Sequence, residues 1–446
     1  VTSKRVGLFV IVTVVFMLSL DVTMLDVVLT DIGREVGASA SQLAWLADCY
    51  NIAMAGLLLL GAGLGGRYGQ RRVFLVGLMI FGIGTFAASL SSTPETLIAS
   101  RTMMGIGAAG LAAPSLALTG EMFAGPERTR ALASWAAASG IGLAVGPILG
   151  GVIMSVAGWR GTFLALVPFV VLAVVLGRAS LPETRSQSSV NLDALGAVLS
   201  AFALVPLVAA LLQVPELGWS DPYVLTGLAL GLVLLAAFVV HESRSPTPMI
   251  DVSVMRIPMV ASSGLALAAA YIGFLGLQFL GAVQLRSNFD LSPVQAGLAL
   301  APWALLYWAG ARLGANLAQR RGARRIMFSG LAILVTAFTW LAVLSHLGPA
   351  WVSVGLAAAG VGCGLVTPVA VNSMMSATPE DLIATSSGLS MLARFGGGAV
   401  GMAILASAAT IGASISWGYA AGVVLVLGLW LGSAFLGRDD SRATTS

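Results

Sequence analysis

The sequence predicts an all-α protein threaded many times through a lipid bilayer, and three observations carry that expectation. Of 446 residues, 58% are hydrophobic and only 9% are charged, whereas soluble domains carry roughly a quarter charged residues. The apolar residues gather into runs of about 20, the length a helix needs to cross hydrocarbon, without the long strict alternation of a barrel strand. The basic residues fall in alternate gaps between those runs, as cytoplasmic loops do. A chain this size cannot hide so much apolar surface inside its own core and stay dissolved. A water-soluble enzyme, a disordered regulator and a disulfide-built secreted domain are therefore excluded.

Runs of about 20 residues number fourteen, at roughly 8–29, 43–65, 73–91, 96–118, 131–156, 161–178, 192–213, 222–240, 259–283, 293–315, 326–345, 350–372, 388–411 and 416–436. The first follows Lys4-Arg5, as a signal peptide would. It is too long for one, however, meets Asp26 and Asp31 rather than a small-residue cleavage site, and is read as a span. With both termini cytoplasmic, alternation places 17 of the 23 basic residues on the cytoplasmic side and Arg34, Arg160 and Arg286 on the far side, leaving Arg101, Arg312 and Arg394 in or at the ends of spans. This asymmetry explains the pI near 9.4 through topology and anionic lipid, with no nucleic-acid partner. The seventh and eighth runs are flanked by polar, proline-bearing stretches, 181–191 and 241–258, which read as linkers.

An internal repeat refines the architecture. Arg67-Tyr-Gly69-Gln-Arg71-Arg72 with Gly77-Leu78 recurs 253 positions later as Arg320-Arg-Gly322-Ala-Arg324-Arg325 with Gly330-Leu331. Two arginine-rich cytoplasmic loops could look alike by composition, but the glycine register argues for duplication. Removing the two middle runs and their linkers leaves an offset that suits a six-helix unit. The expected domains are a bundle at 1–180, two inserted helices with linkers at 181–258, and a second bundle at 259–446. Parallel repeats of this kind place a transporter's binding site between them.

Cys49 and Cys363 lie in apolar runs and His241 and His346 are far apart, so neither a disulfide framework nor a metal cluster is expected. Nor is a phosphate-binding loop present, so neither ATP nor a cofactor is expected to supply the energy.

Several motifs resemble the major facilitator superfamily, and more closely its fourteen-helix drug:proton antiporters. Gly63-Leu-Gly-Gly66-Arg67-Tyr-Gly69-Gln-Arg71-Arg72 resembles the family's loop between helices 2 and 3. Arg101-Thr-Met-Met-Gly105-Ile-Gly107 resembles the helix-4 motif, and Gly140-Ile-Gly142-Leu-Ala-Val-Gly146-Pro147-Ile-Leu-Gly150-Gly151 the helix-5 antiporter motif. Leu20-Asp21-Val-Thr23-Met-Leu-Asp26-Val-Val-Leu-Thr30 is similar to the helix-1 signature of that branch, and Trp45-Leu-Ala-Asp48-Cys-Tyr50 to the helix-2 start of quaternary-ammonium exporters. The resemblance implies a major facilitator fold of two six-helix bundles plus two inserted helices, a bacterial cytoplasmic membrane, and proton-coupled efflux of amphipathic, cationic drugs or antiseptics. The chain departs from the pattern at Gly66, where the family has an Asp that latches one access state, and at Gln70, Met104, Asp26 and Thr30. A dedicated exporter of one natural product is the alternative. Uptake symport is disfavoured by the helix-5 motif, and a membrane enzyme by the lack of a nucleophile–base set.

The charged residues of the spans are the candidate site. A carboxyl group out of water costs roughly 2.5–3.5 kcal/mol at a span centre, holds a proton more readily, and attracts an organic cation. Competition of proton and cation for one acid yields antiport. Asp21, Asp26 and Asp48 are the acids of the first two spans. Asp21 and Asp26 project about 140° apart, and Asp26, near the outer end, reads equally as a solvated residue. Asp48 and Asn51 share a face. Arg101 pairs with a helix-1 carboxylate or snorkels outward; the resemblance favours proton coupling. Arg394 reads better as interfacial than as lining. Gly142, Gly146 and Gly150 form a smooth ridge and Pro147 can bend the helix; the resemblance implies a seal between halves, while ordinary close packing is the plainer reading. In the ninth span Tyr271, Phe274 and Gln278 share a face, as do Trp303 and Tyr307 in the tenth, and these faces suit a flat lipophilic cation or plain packing. The protein is expected to act as a monomer on small amphipathic substrates and protons.

Overall fold

A computed structural model describes residues 2–123, 125–183, 194–245, 252–379, 383–412 and 414–436. Residues 184–191 and 246–251 of the expected linkers, and Arg438 and Arg442, lie outside the described residues. Among the described residues the chain is helical and holds no strand. The helices are α1 (Thr2–Val36), α2 (Ala40–Tyr68), α3 (Gln70–Leu90), α4 (Pro94–Met122), α5 (Gly125–Leu164), α6 (Val167–Ser180), α7 (Ala194–Leu217), α8 (Pro222–Arg244), α9 (Pro258–Tyr271), α10 (Leu277–Ser287), α11 (Pro293–Arg321), α12 (Ala323–Leu344), α13 (Pro349–Ser376), α14 (Ile383–Ile411) and α15 (Ile415–Leu436). Ten stretches among the described residues are long and apolar enough to cross a membrane. α5 breaks at Gly158, whose φ of 67° suits glycine alone, so Trp159 begins the course that α6 continues. α9 and α10 are joined by a π-helical turn, Ile272–Gly276, into one helix.

Two compact units form, Val1–Ala201 with Leu291–Leu298, and Phe202–Asp290 with Ala299–Ser446. In the first, α1 packs on α4, α5 and α6, and α3 on α4 and α6. The second repeats the scheme, α9 packing on α13, α14 and α15, and α12 on α13 and α15. In the first unit, Glu35 near the end of α1 accepts from the Trp159 indole at 2.8 Å and from Arg160, which also donates to the Ser91 carbonyl beyond α3 at 3.1 Å. In the second, Ser407 of α14 donates to the Leu211 carbonyl of α7. Burial separates the helices by role. Within Pro258–Ser287, 89% of the most apolar stretch is buried, whereas for Pro222–Arg244 only 17% is. The former is a core helix of its unit; the latter presents Leu225, Leu232 and Val233 outward, as a lipid-facing helix does.

The repeat extends well beyond the arginine motif. Gly69 and Gly322, 253 positions apart, both take positive φ, 108° and 87°, and start α3 and α12. Arg71 donates to the Arg178 carbonyl at the end of α6, and Arg324 to the Ala434 carbonyl at the end of α15, so each satisfies a helix C-terminus. A Cβ on Gly107 would stand 2.7 Å from the Gly77 carbonyl oxygen, and one on Gly362 would stand 2.8 Å from that of Gly330, so both α3–α4 and α12–α13 need glycine on glycine. Capping boxes start α2 at Ser39–Gln42 and α11 at Ser292–Gln295.

Candidate functional site

Buried charge defines the centre of the first unit. Asp21 of α1 and Arg101 of α4 have side chains 3% and 2% exposed, and Arg101 Nη1 donates to Asp21 Oδ2 at 2.6 Å. The guanidinium also lies over the ring of Tyr50, 4.7 Å from its centroid. Asp48, two residues earlier on α2, is wholly buried, and neither of its carboxylate oxygens has a hydrogen-bond partner. Asn51 donates to the Ala47 carbonyl at 3.3 Å and leaves its Oδ1 unpartnered. Asp26, about one and a half turns beyond Asp21, is also buried rather than solvated. The structure thus pairs Arg101 with a helix-1 acid, Asp21, and buries Asp48.

Glycines make the geometry possible. Gly105, one turn past Arg101, takes the Tyr50 backbone against it, which brings the ring under the guanidinium. On the other side of α1, Gly142 faces Phe16 and Ser19, Gly146 faces Leu20 and Thr23, and Gly150 faces Met24. The ridge therefore brackets Asp21 and serves α1 of its own bundle, with Ser19 and Ser139 bonded at 2.8 Å. Pro147 and Gly151 face differently, towards Gly297 and Pro293 at the start of α11.

A buried ion pair costs several kcal/mol of desolvation per ion, recovered only with good geometry, and losing one partner costs about 3–5 kcal/mol. Asp21 and Arg101 compensate each other. Asp48 has no such neighbour bonded to it, and a buried charge without a partner is costly.

The second unit holds aromatic rings where the first holds charge. Phe274 lies 4.7 Å from Trp303, 5.0 Å from Tyr307 and 5.3 Å from Tyr271, between centroids. Gly360 and Gly364 of α13 take the backbones of Trp303 and Tyr307, as Gly105 takes that of Tyr50. The five residues singled out in the sequence are thus set on neighbouring helices of one unit, four of them as one ring cluster. Gln278 is 1% exposed with both amide atoms unpartnered, and the Trp303 indole N–H is likewise unpartnered. Arg394 joins them, its guanidinium 4.8 Å over the Tyr271 ring and 5.5 Å over Phe395, donating to the Tyr271 hydroxyl. The sequence, in which Arg394 precedes Gly396-Gly397-Gly398, favours an interfacial place over this one. Its signal was an arginine beside a phenylalanine in an otherwise uncharged helix.

At the loop motif, Gly63 and Gly66 are half-buried within α2 and Arg67 is exposed, its guanidinium 5.4 Å over Tyr68. No acid stands at Gly66, but Glu183, just after α6, approaches Arg72 at 3.6 Å and lies against Gly69.

Among the described residues, no group of three or more metal-ligating side chains occurs. Long apolar helices that bury an ion pair and an orphan acid in one unit and an aromatic cluster in the other make up a polytopic membrane protein. The Major Facilitator Superfamily matches residues 11–402, and the chain belongs to that family. Over 416 residues it is 32% identical to the puromycin resistance protein pur8 of Streptomyces alboniger, covering 91% of this chain and 81% of that one. It is 30% identical over 393 residues to the multidrug resistance protein Stp of Mycobacterium tuberculosis, covering 88% and 73%. A solved POT family transporter in complex with a thioalcohol-conjugated peptide shares the fold, with a TM-score of 0.74 and 15% identity over 97% of both chains.

Proposed function

We propose that this protein exports amphipathic compounds, cationic ones among them, across a bacterial cytoplasmic membrane in exchange for protons. The relatives above are named for drug resistance, and proton exchange is typical of such pumps. The observation that carries the reading is the buried Asp21–Arg101 pair with Asp48 unpartnered nearby on α2. In this reading Asp48 holds a proton or a cationic group by turns, and Asp21, with Arg101, takes part in proton transfer. Asp26, beyond that pair, is the weaker candidate. Both termini are cytoplasmic, the functional unit is a monomer, and fourteen helices cross the bilayer; the break at Gly158 and the continuity of α9 with α10 support that number. The kinship with quaternary-ammonium exporters rests on Trp45–Tyr50 and remains part of the proposal.

A pH-jump assay in proteoliposomes tests it, across cationic, neutral and anionic compounds. Asp21→Asn is expected to abolish proton-linked movement, and Asp48→Asn to weaken divalent cations most. Coupling retained in both variants would dismiss these assignments. The name of pur8 favours a second reading, a dedicated exporter of one natural product. A response confined to a single scaffold in the same panel would select it.

A further inference from the structure

The second unit is built on the glycine scaffold of the first but carries the opposite electrostatic character. Gly105 meets Tyr50 and Gly360 meets Trp303; Gly146 meets the Leu20 backbone and Gly398 that of Tyr271. Where this scaffold holds Asp21 and Asp48 in the first unit, the corresponding region of the second holds rings, and α9 to α15 contain no aspartate or glutamate at all. Arg394 lies among those rings, with its guanidinium stacked on Tyr271. A flat cation entering the cluster would find one ring face already taken by the protein's own cation and no carboxylate on any of these helices. Two of the polar groups offered are donors alone. The Trp303 indole can only donate, the guanidinium can only donate, and the Gln278 amide is buried with nothing bonded to it. The helix bearing Tyr271, Phe274 and Gln278 carries its π-turn at this point, a feature frequent at functional sites.

Resting on the export reading above, we propose that the Tyr271–Phe274–Trp303–Tyr307 cluster, with Arg394 and Gln278, is a subsite for a flat ring bearing hydrogen-bond acceptors, such as a carbonyl or carboxylate, and that it discriminates against flat cations. The class of cargo is thereby extended to neutral and anionic aromatic compounds.

The test is direct binding to the full chain in lipid nanodiscs, by calorimetry, with empty nanodiscs as control and Asp48→Asn as background to silence the first unit's acid. Three probes share one ring system: 1-naphthoate, 1,4-naphthoquinone, and 1-naphthylmethyl-trimethylammonium. The two acceptor probes should bind at least about tenfold more tightly than the ammonium, a difference of about 1.4 kcal/mol. Arg394→Gln should erase the preference for naphthoate. Gln278→Leu should weaken both acceptor probes while leaving the ammonium unchanged, and serves if the arginine variant does not fold. Ammonium binding as tight as naphthoate, a preference that survives Arg394→Gln, or no saturable binding of either acceptor probe would overturn the proposal. Because no gradient is applied, these outcomes are distinct from failure of proton-driven export.

Discussion

Asp21 and Asp48 are both buried acids, yet they differ in what their loss does. Asp21→Asn strands the Arg101 guanidinium, so about 3–5 kcal/mol of folding stability is expected to go with it. The double variant Asp21→Leu/Arg101→Met should regain most of the thermal midpoint in detergent while proton-linked transport stays absent. That pair of measurements separates the structural share of the ion pair from its part in transport. Asp48→Asn removes no bonded partner, so its thermal midpoint should change by the equivalent of less than about 1 kcal/mol while cation transport falls. A steep loss of stability in Asp48→Asn would show that the acid is held by the protein after all. These acids were legible in the sequence because ionisable groups in apolar runs are rare. What the sequence could not supply was the assignment of partners, since Asp21 and Arg101 are eighty positions apart and nothing in local spacing selects Asp21 over Asp26.

At the level of helices, close approach is controlled by glycine, and two positions predict opposite responses to relief. A Cβ on Gly146 would collide with the Thr23 hydroxyl, whereas one on Gly142 would collide with the Phe16 carbonyl. Gly146→Ala is expected to destabilise by about 1–3 kcal/mol, and Thr23→Ala in the same chain should recover part of it, as read by the thermal midpoint. Gly142→Ala meets backbone, which no side-chain truncation removes, so a comparable loss there should resist rescue by Ser19→Ala. The ridge itself was plain from its four-residue spacing. Its partner was not, because the same small residues suit α1 or a helix of another bundle equally well. The repeat was likewise only partly visible. The arginines and glycines of the loops stand out, while Ser39–Gln42 and Ser292–Gln295 do not, since a capping box is common to many helices.

For the molecule as a whole, the driving force sets a further expectation. One proton moving down about 100 mV and one pH unit yields about 2.3 plus 1.4 kcal/mol, enough for roughly a 500-fold gradient of a neutral compound. A monovalent cation exchanged for one proton moves no net charge and gains only the pH component. With more than one buried acid in the first unit, a stoichiometry above one is expected, so monocation export should quicken when a potential is imposed at constant pH. Indifference to potential would restrict the cycle to a single proton. Span positions and the lateral distribution of arginine were readable at this scale because hydropathy and charge are summed over long stretches. The π-turn at Ile272–Gly276 was not; Leu334 and Cys363 lie against Gly273 there, and Leu405 against Gly276, contacts that no local spacing announces.

That turn has a hereditary consequence. A helix advances about 100° per residue, and α10 continues for eleven residues beyond the bulge. The π-turn already takes up one extra residue for nearly the same rotation, so loss of a single codon at Gly273 would wind the chain back to a regular spiral, without shifting the reading frame of the gene, and leave Gln278 facing nearly as before relative to Tyr271. The same loss within α10 has no such slack and would swing every later residue of that helix by that angle.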